Sequence, residues 1–208
     1  DYFSFYGELS YQLYMMKDWP YMILTDGNSH NFALNFQLSR SSIDNPIYTR
    51  RGSQFTIGLK ITPPYSLIRG TTDAQYAQMS TTEKYNLLEY HKWRFSGKVF
   101  TPLTAASKLV LMARADFGYL GHYNKNVKSP FESFYMGGDG MSSYSSYSTE
   151  YISMRGYQSG SLTPYDPATG RNMGYVYNKF TMELRYPIAL EQNATIWALA
   201  FLEAGNCF

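Results

Sequence analysis

Arg155 is the residue whose neighbours best fit it for chemistry. It lies in Met154-Arg155-Gly156-Tyr157, inside a long polar segment over residues 120–173. An arginine followed by glycine predicts a cation presented on a tight backbone turn. Its guanidinium is always charged, offers a planar fork of donors suited to a carboxylate, and stacks on aromatic rings. Hairpin loops usually run about 2–5 residues, so a segment this long between strands predicts a function. The other reactive groupings are weaker. Gly137-Gly138-Asp139-Gly140 lacks the helix and the Lys-Ser/Thr pair of a phosphate cradle. Gly156-Tyr157-Gln158-Ser159-Gly160 has its serine one place late for a hydrolase elbow. His30, His91 and His122 have no metal-ligand spacing, and the single Cys207 cannot build a disulfide framework. The reading predicts no enzyme, no metal and no cofactor.

The elements that must position Arg155 are written in the composition and the periodicity. The 208 residues suit one large domain. A net charge of +2 argues against a nucleic-acid partner. Charged residues make up only 16%, yet there are 21 Tyr, 13 Phe and 3 Trp. This mixture suits a sheet with one greasy and one polar face. No apolar run is long enough for a transmembrane helix. The opening Asp1-Tyr2-Phe3-Ser4-Phe5 already reads as strand, and Ala204-Gly205-Asn206-Cys207-Phe208 ends without a turn signal. Both ends are therefore expected to be cuts within a longer protein.

The dominant period is two. Residues 3–13 set Phe3, Phe5, Leu9, Tyr11 and Leu13 against Ser4, Tyr6, Glu8, Ser10 and Gln12. The same alternation covers residues 31–39, 54–62, 91–100, 108–118 and 175–186, each predicting a strand. A seventh strand, over 194–206, is apolar on both faces, with Ile196, Ala198, Ala200 and Leu202 opposite Trp197, Leu199, Phe201 and Glu203. Connections 15–30, 63–85 and 120–173 are long, whereas 40–52, 101–106 and 187–193 are shorter and rich in turn formers. One end of the sheet thus carries loops and the other turns.

Alternating antiparallel strands fit either a soluble sandwich, apolar face inward, or a membrane barrel, apolar face to lipid. Three features favour the membrane. The polar faces carry charged rows such as Lys92-Arg94-Lys98, Arg114-Asp116 and Lys179-Glu183-Arg185, suited to a wet lumen. The strands match the ~9–11 residues that cross a bilayer. Tyr14, Trp19, Tyr90, Trp93, Tyr119 and Tyr186 lie near strand ends, as interfacial aromatic belts require. A barrel in lipid must close, and seven strands are too few, which again predicts a piece of a larger barrel.

Longer motifs carry a resemblance. Ser129-Pro130-Phe131-Glu132-Ser133-Phe134-Tyr135-Met136-Gly137-Gly138, followed by Met154-Arg155-Gly156-Tyr157, resembles the BamA family of outer-membrane assembly factors. In the same order, residues 41–53 resemble that family's periplasmic turn between strands eight and nine. Glu183-Leu184-Arg185-Tyr186-Pro187 resembles its strand-twelve ending, and Phe201-Leu202-Glu203-Ala204-Gly205 its strand-thirteen motif. The resemblance covers essentially the whole chain. It implies an all-β, antiparallel transmembrane β-barrel, likewise sixteen-stranded and preceded by POTRA domains, of which this chain holds strands seven to thirteen. Residues 120–173 would be the sixth extracellular loop, folded back into the lumen. Arg155 would meet the inner-wall partners Glu183, Phe201 and Glu203, beside Gly205. The family commonly has Asp where this chain has Glu203, and the extra methylene predicts a looser or water-bridged pairing. The Ser/Tyr-rich stretch 141–151 has no counterpart in the family pattern. Parity agrees with the lumenal placement: Glu203 shares a face with Trp197, Leu199 and Phe201, which predicts that this face packs against the loop.

The resemblance further implies a non-enzymatic insertase of the bacterial outer membrane. Its clients would be unfolded outer-membrane proteins, its partners accessory assembly lipoproteins and the lipid bilayer. The family's seam between first and last strands would lie outside this chain. Other readings are a TamA-like or two-partner secretion transporter, a passive solute channel, and an outer-membrane hydrolase, for which no Ser/His/acid set stands on the polar face.

Overall fold

The computed structural model describes residues 2–19, 23–106, 108–129, 131–141, 149–167, 170–191 and 193–208. Seven long strands form one antiparallel sheet: β1 (Phe3–Met16), β2 (Gly27–Ser41), β3 (Gly52–Ile61), β4 (His91–Pro102), β5 (Val110–Gly121), β10 (Val176–Leu190) and β11 (Thr195–Cys207). Their order is β1-β2-β3-β4-β5-β10-β11, so each long strand pairs with the next long strand in sequence. This is the up-and-down meander that alternation and short returns dictate. The sheet is part of an antiparallel β-barrel, open at β1 and β11 within this chain.

Burial runs opposite to that of a soluble protein. The apolar face is exposed along every long strand: Phe5 is 70% exposed, Leu9 76% and Leu202 75%. The polar face is covered in part: Asn31, Lys92, Asp116, Thr181 and Glu183 are all buried, while Glu8, Gln12, Arg94 and Arg114 stay open. A sheet that shows its leucines and hides its lysines is stable only with hydrocarbon against the leucines, as in a transmembrane barrel.

The strands run further than periodicity predicts. β1 and β2 extend to Met16 and back to Gly27, shrinking the expected 15–30 loop to residues 17–26. β10 does not stop at Tyr186. It continues to Leu190 through a register shift between Pro187 and Ala189, where proline's missing N–H breaks the ladder without ending the strand. The expected loop 63–85 contains α1 (Tyr65–Arg69), α2 (Asp73–Gln78) and α3 (Thr81–Lys84). The last two open on capping boxes, Thr72 with Gln75 and Ser80 with Glu83, in which each side chain satisfies the other residue's backbone N–H.

The aromatic belt needs correction. Trp93, Tyr119 and Tyr186 do stand exposed on the apolar face. Tyr14, Trp19 and Tyr90 turn inward instead. Tyr90 is fully buried and hydrogen-bonded to Asn31, Tyr14 stacks on Phe131 at 4.6 Å, and Trp19 packs on the interior cluster. The reason is parity: Tyr14 continues the Ser10–Gln12 face and Tyr90 the Lys92 face.

The segment between β5 and β10 folds onto the polar face. It holds β6 (Phe134–Met136) parallel to β7 (Glu150–Ile152), and the small hairpin β8 (Tyr165–Asp166) with β9 (Arg171–Asn172). Phe131, Phe134, Met136 and Met154 from this segment pack with Leu88, Tyr90, Leu120, Tyr177 and Cys207 from around the wall. Each such side chain gains about 1.5–3 kcal/mol on leaving water, so the loop carries its own apolar seat. Residues 142–148, within the Ser/Tyr-rich stretch, lie outside the described residues. At the opposite end Tyr48, Phe100, Val110 and Met112 form a second cluster, bordered by Ile43 and Trp197.

Candidate functional site

Register prepares the wall that Arg155 meets. In the β10–β11 pair, Lys179 stands opposite Gly205, Thr181 opposite Glu203, and Glu183 opposite Phe201. All six belong to the lumenal face because side chains alternate along each strand. A cation, a hydroxyl, two acids, a ring and a glycine therefore converge with no contribution from a flexible segment.

The loop brings Arg155 to this patch on a tight turn. Gly138 N–H donates to the Tyr157 carbonyl at 3.0 Å, and Met154 N–H to the Gly138 carbonyl at 2.8 Å. Gly156 has φ +88°, a left-handed conformation, and open space where a Cβ would stand. Glycine is required there by backbone conformation and not by crowding. Met154 is buried in the interior cluster and fixes the turn from behind. Tyr157 joins the turn through its backbone, and its ring is half exposed.

Arg155 is held at four points. Its backbone N–H donates to Glu203 Oε2 at 2.9 Å and its Nη2 to Glu203 Oε1 at 2.8 Å. The same Nη2 reaches Glu183 Oε1 at 3.5 Å. The guanidinium carbon stands 3.5 Å from the centroid of the Phe201 ring, a stacked cation–π contact. The hydrogen bond and charge of Glu203 hold the guanidinium above its already high pKa, and Glu183 adds to this. The expectation of a loose or water-bridged pair is overturned, because Glu203 contacts Arg155 directly through both carboxylate oxygens. The longer side chain spans side chain and backbone of one residue at once.

Neighbours complete the acid pair. Lys179 Nζ lies 3.1 Å from Glu203 Oε1 and donates to the Ser153 carbonyl at 2.7 Å, so it too ties loop to wall. Thr181 Oγ1 donates to Glu203 Oε1 at 3.4 Å. Arg185 donates to Glu183 Oε2 at 2.6 and 2.8 Å and thereby orients that carboxylate. Gly205 permits the close approach: a Cβ there would meet the Asn178 carbonyl oxygen at 2.5 Å and Met136 Cε at 2.9 Å.

The structure thus gathers Arg155, Glu183, Phe201, Glu203 and Gly205 at one place, with Met154 and Gly156 shaping the turn. Lys179, Thr181 and Arg185 were not singled out from the sequence as site residues. Their signal was available in the alternating charged face of residues 179–185. The expectation that the inner face of β11 packs against the loop holds for one end of the strand and fails for the other. Leu199 and Phe201 are each 42% exposed, and Trp197 packs instead against Tyr48, with ring centroids 5.9 Å apart. The loop meets only the end of β11 from Phe201 to Cys207, because its own apolar cluster lies at that end.

Chemically, the site is a sequestered ion-pair network. Among the described residues no group of His, Cys, Asp or Glu is arranged to hold a metal ion. Every acid at the centre is engaged by a cation of the chain itself. The arrangement can hold one conformation of a long loop against a wall, which is the best-attested role of a buried ion pair.

Comparison with known proteins agrees with this architecture. No curated protein matches the sequence significantly. Among solved structures the fold is similar to that of BamA from Haemophilus ducreyi lacking POTRA domains 1–3. The TM-score is 0.60 at 17% sequence identity. The match covers 87% of this chain but only 30% of that one. The family model for the Omp85 superfamily domain matches residues 3–208, and the chain belongs to the Omp85 superfamily.

Proposed function

We propose that this chain is part of the barrel of an outer-membrane protein insertase. In this reading the protein assists folding and insertion of β-barrel proteins in the bacterial outer membrane. Its clients are unfolded outer-membrane proteins, and it works with accessory assembly lipoproteins. It binds and positions, uses no cofactor, and makes or breaks no covalent bond. Residues 120–173 act as an inward-folded loop, and Met154-Arg155-Gly156-Tyr157 latches that loop to strands β10 and β11.

One observation carries the reading: Arg155 is seated between Glu203 and Phe201 on the inner wall of a lipid-facing sheet. A loop held across the inner wall narrows the path that a passive solute channel must keep open. An assembly factor needs a barrel held in one competent shape. The test has two arms. Depletion of the full-length protein is expected to lower the amounts of other outer-membrane barrels; unchanged amounts would favour a passive channel. Arg155→Ala is expected to make the loop sensitive to external protease and to slow barrel assembly, and a variant that behaves as the parent in both would remove the latch.

A further inference from the structure

The loop meets the wall a second time, away from Arg155 and with the charges reversed. Glu132 stands between buried Phe131 and Ser133. Its carboxylate pairs with Lys60 of β3 and accepts from Lys92 Nζ of β4 at 3.1 Å. Tyr90 Oη reaches the same carboxylate at 3.5 Å. Lys92 Nζ also lies 2.8 Å from Glu150 Oε2 of β7, an ion pair without hydrogen-bond geometry. The other Glu150 oxygen is 3.3 Å from Arg94 Nη1. On its remaining side the Lys92 ammonium is 4.8 Å from the Phe134 ring centroid.

Two features set this cluster apart from a solvated charged face. The Lys92 side chain is 1% exposed, and an ammonium so buried is tolerated only when paired. Both its carboxylates come from the loop, so Lys92 is satisfied only while the loop is in the lumen. In addition, Glu132 has φ +70°, a left-handed backbone that costs a non-glycine residue about 1–2 kcal/mol. Such a conformation persists where its surroundings over-determine it. Burial pushes the Glu132 carboxyl up, but the charges of Lys92 and Lys60 outweigh this and hold it below the usual glutamate value.

We propose that Glu132 and Lys92 form a second anchor, which positions the loop from the β3–β4 side. The loop then bridges β4 to β11 across β5 and β10, and fixes the curvature of that arc of the wall. The anchor rests on the reading of residues 120–173 as a lumenal loop that holds barrel shape. Its polarity is the inverse of the Arg155 latch: here the loop supplies acids and the wall supplies cations. Neither contact can be satisfied at the other's position, so the two together set the loop's direction as well as its depth.

The test uses the full-length protein in outer-membrane vesicles, with Cys207→Ala and with Ser133→Cys as a buried thiol reporter. Maleimide labelling then reads release of the loop beside the anchor, and retained heat-modifiable gel mobility shows that the barrel is folded. Glu132→Gln and Lys92→Met are each expected to raise the labelling rate roughly tenfold. The double variant should fall short of the product of the two, because they share the Glu132–Lys92 contact while Lys60 and Glu150 each touch only one of the pair. Glu132→Asp, which keeps the charge, should stay near the parent rate. Parental labelling in both single variants, or effects that multiply in the double, would overturn the anchor. If Glu132→Gln does not fold, Lys60→Met gives the same readout, and no rise there overturns it equally. Arg155→Ala at the same reporter separates the two readings. Protection in Arg155→Ala with exposure in Glu132→Gln sustains an anchor that holds without the latch, and the reverse sinks the anchor alone.

Discussion

The two places where the loop touches the wall solve one problem with opposite materials. At β10–β11 the loop offers a single arginine to two wall acids, and that side chain remains 32% exposed. Its hold comes from geometry: a forked donor, a backbone N–H on the same carboxylate, and a ring beneath. At β3–β4 the loop offers two acids to a lysine that is 1% exposed. Its hold comes from burial, because a compact ammonium has little directional preference but a high cost when stripped of partners. The difference teaches that specificity and energetic penalty are divided between the two contacts. The arginine fixes where the loop sits. The lysine punishes its departure.

The comparison is broken most severely at the buried end. Lys92→Glu would place a third carboxylate beside Glu132 and Glu150, and is expected to destabilise the barrel by about 3–5 kcal/mol, seen as a lower melting temperature in detergent. A change within about 1 kcal/mol would mean that water reaches the cluster and that burial is not its source of strength. Arg155→Lys comes next. It keeps the charge but loses the fork and the flat face, and an expected loss of about 1–2 kcal/mol in a urea titration would show that geometry governs this seat. Parental stability would reduce the latch to simple charge pairing. Gly156→Ala is the smallest. It adds a Cβ in open space at φ +88°, so only backbone strain opposes it, about 1 kcal/mol. A much larger loss would mean that the turn itself, and not the arginine it presents, carries the contact.

Much of the architecture was legible because lipid-facing strands repeat with a period of two over lengths that single residues cannot disguise. Alternation located all seven long strands, and the charged rows at Lys92-Arg94-Lys98 and Lys179-Glu183-Arg185 marked the covered face. The misses have local causes. The capping boxes at Thr72–Gln75 and Ser80–Glu83 were readable but short. Nearness to a strand end puts Tyr14 and Tyr90 in the aromatic belt, although their parity places them inside. Pro187 lies just past the expected end of its strand, and a bulge absorbs it.

The sequence by itself determined the period, the two faces and the presence of an arginine that needs a partner. Those follow from local chemistry, since adjacent residues on a strand must point to opposite sides. Which partners they find was decided only in three dimensions. Arg155 and Glu203 are 48 residues apart, and Lys60 and Glu132 are 72 apart. Their meeting depends on sheet register and on a loop that folds back to bury Phe131, Phe134, Met136 and Met154 against the wall. Glu132 shows the distinction most plainly. In sequence it is an acid between a phenylalanine and a serine. In the folded barrel it is a mostly covered carboxylate facing a buried lysine, and only that placement turns its charge into a hold on the loop.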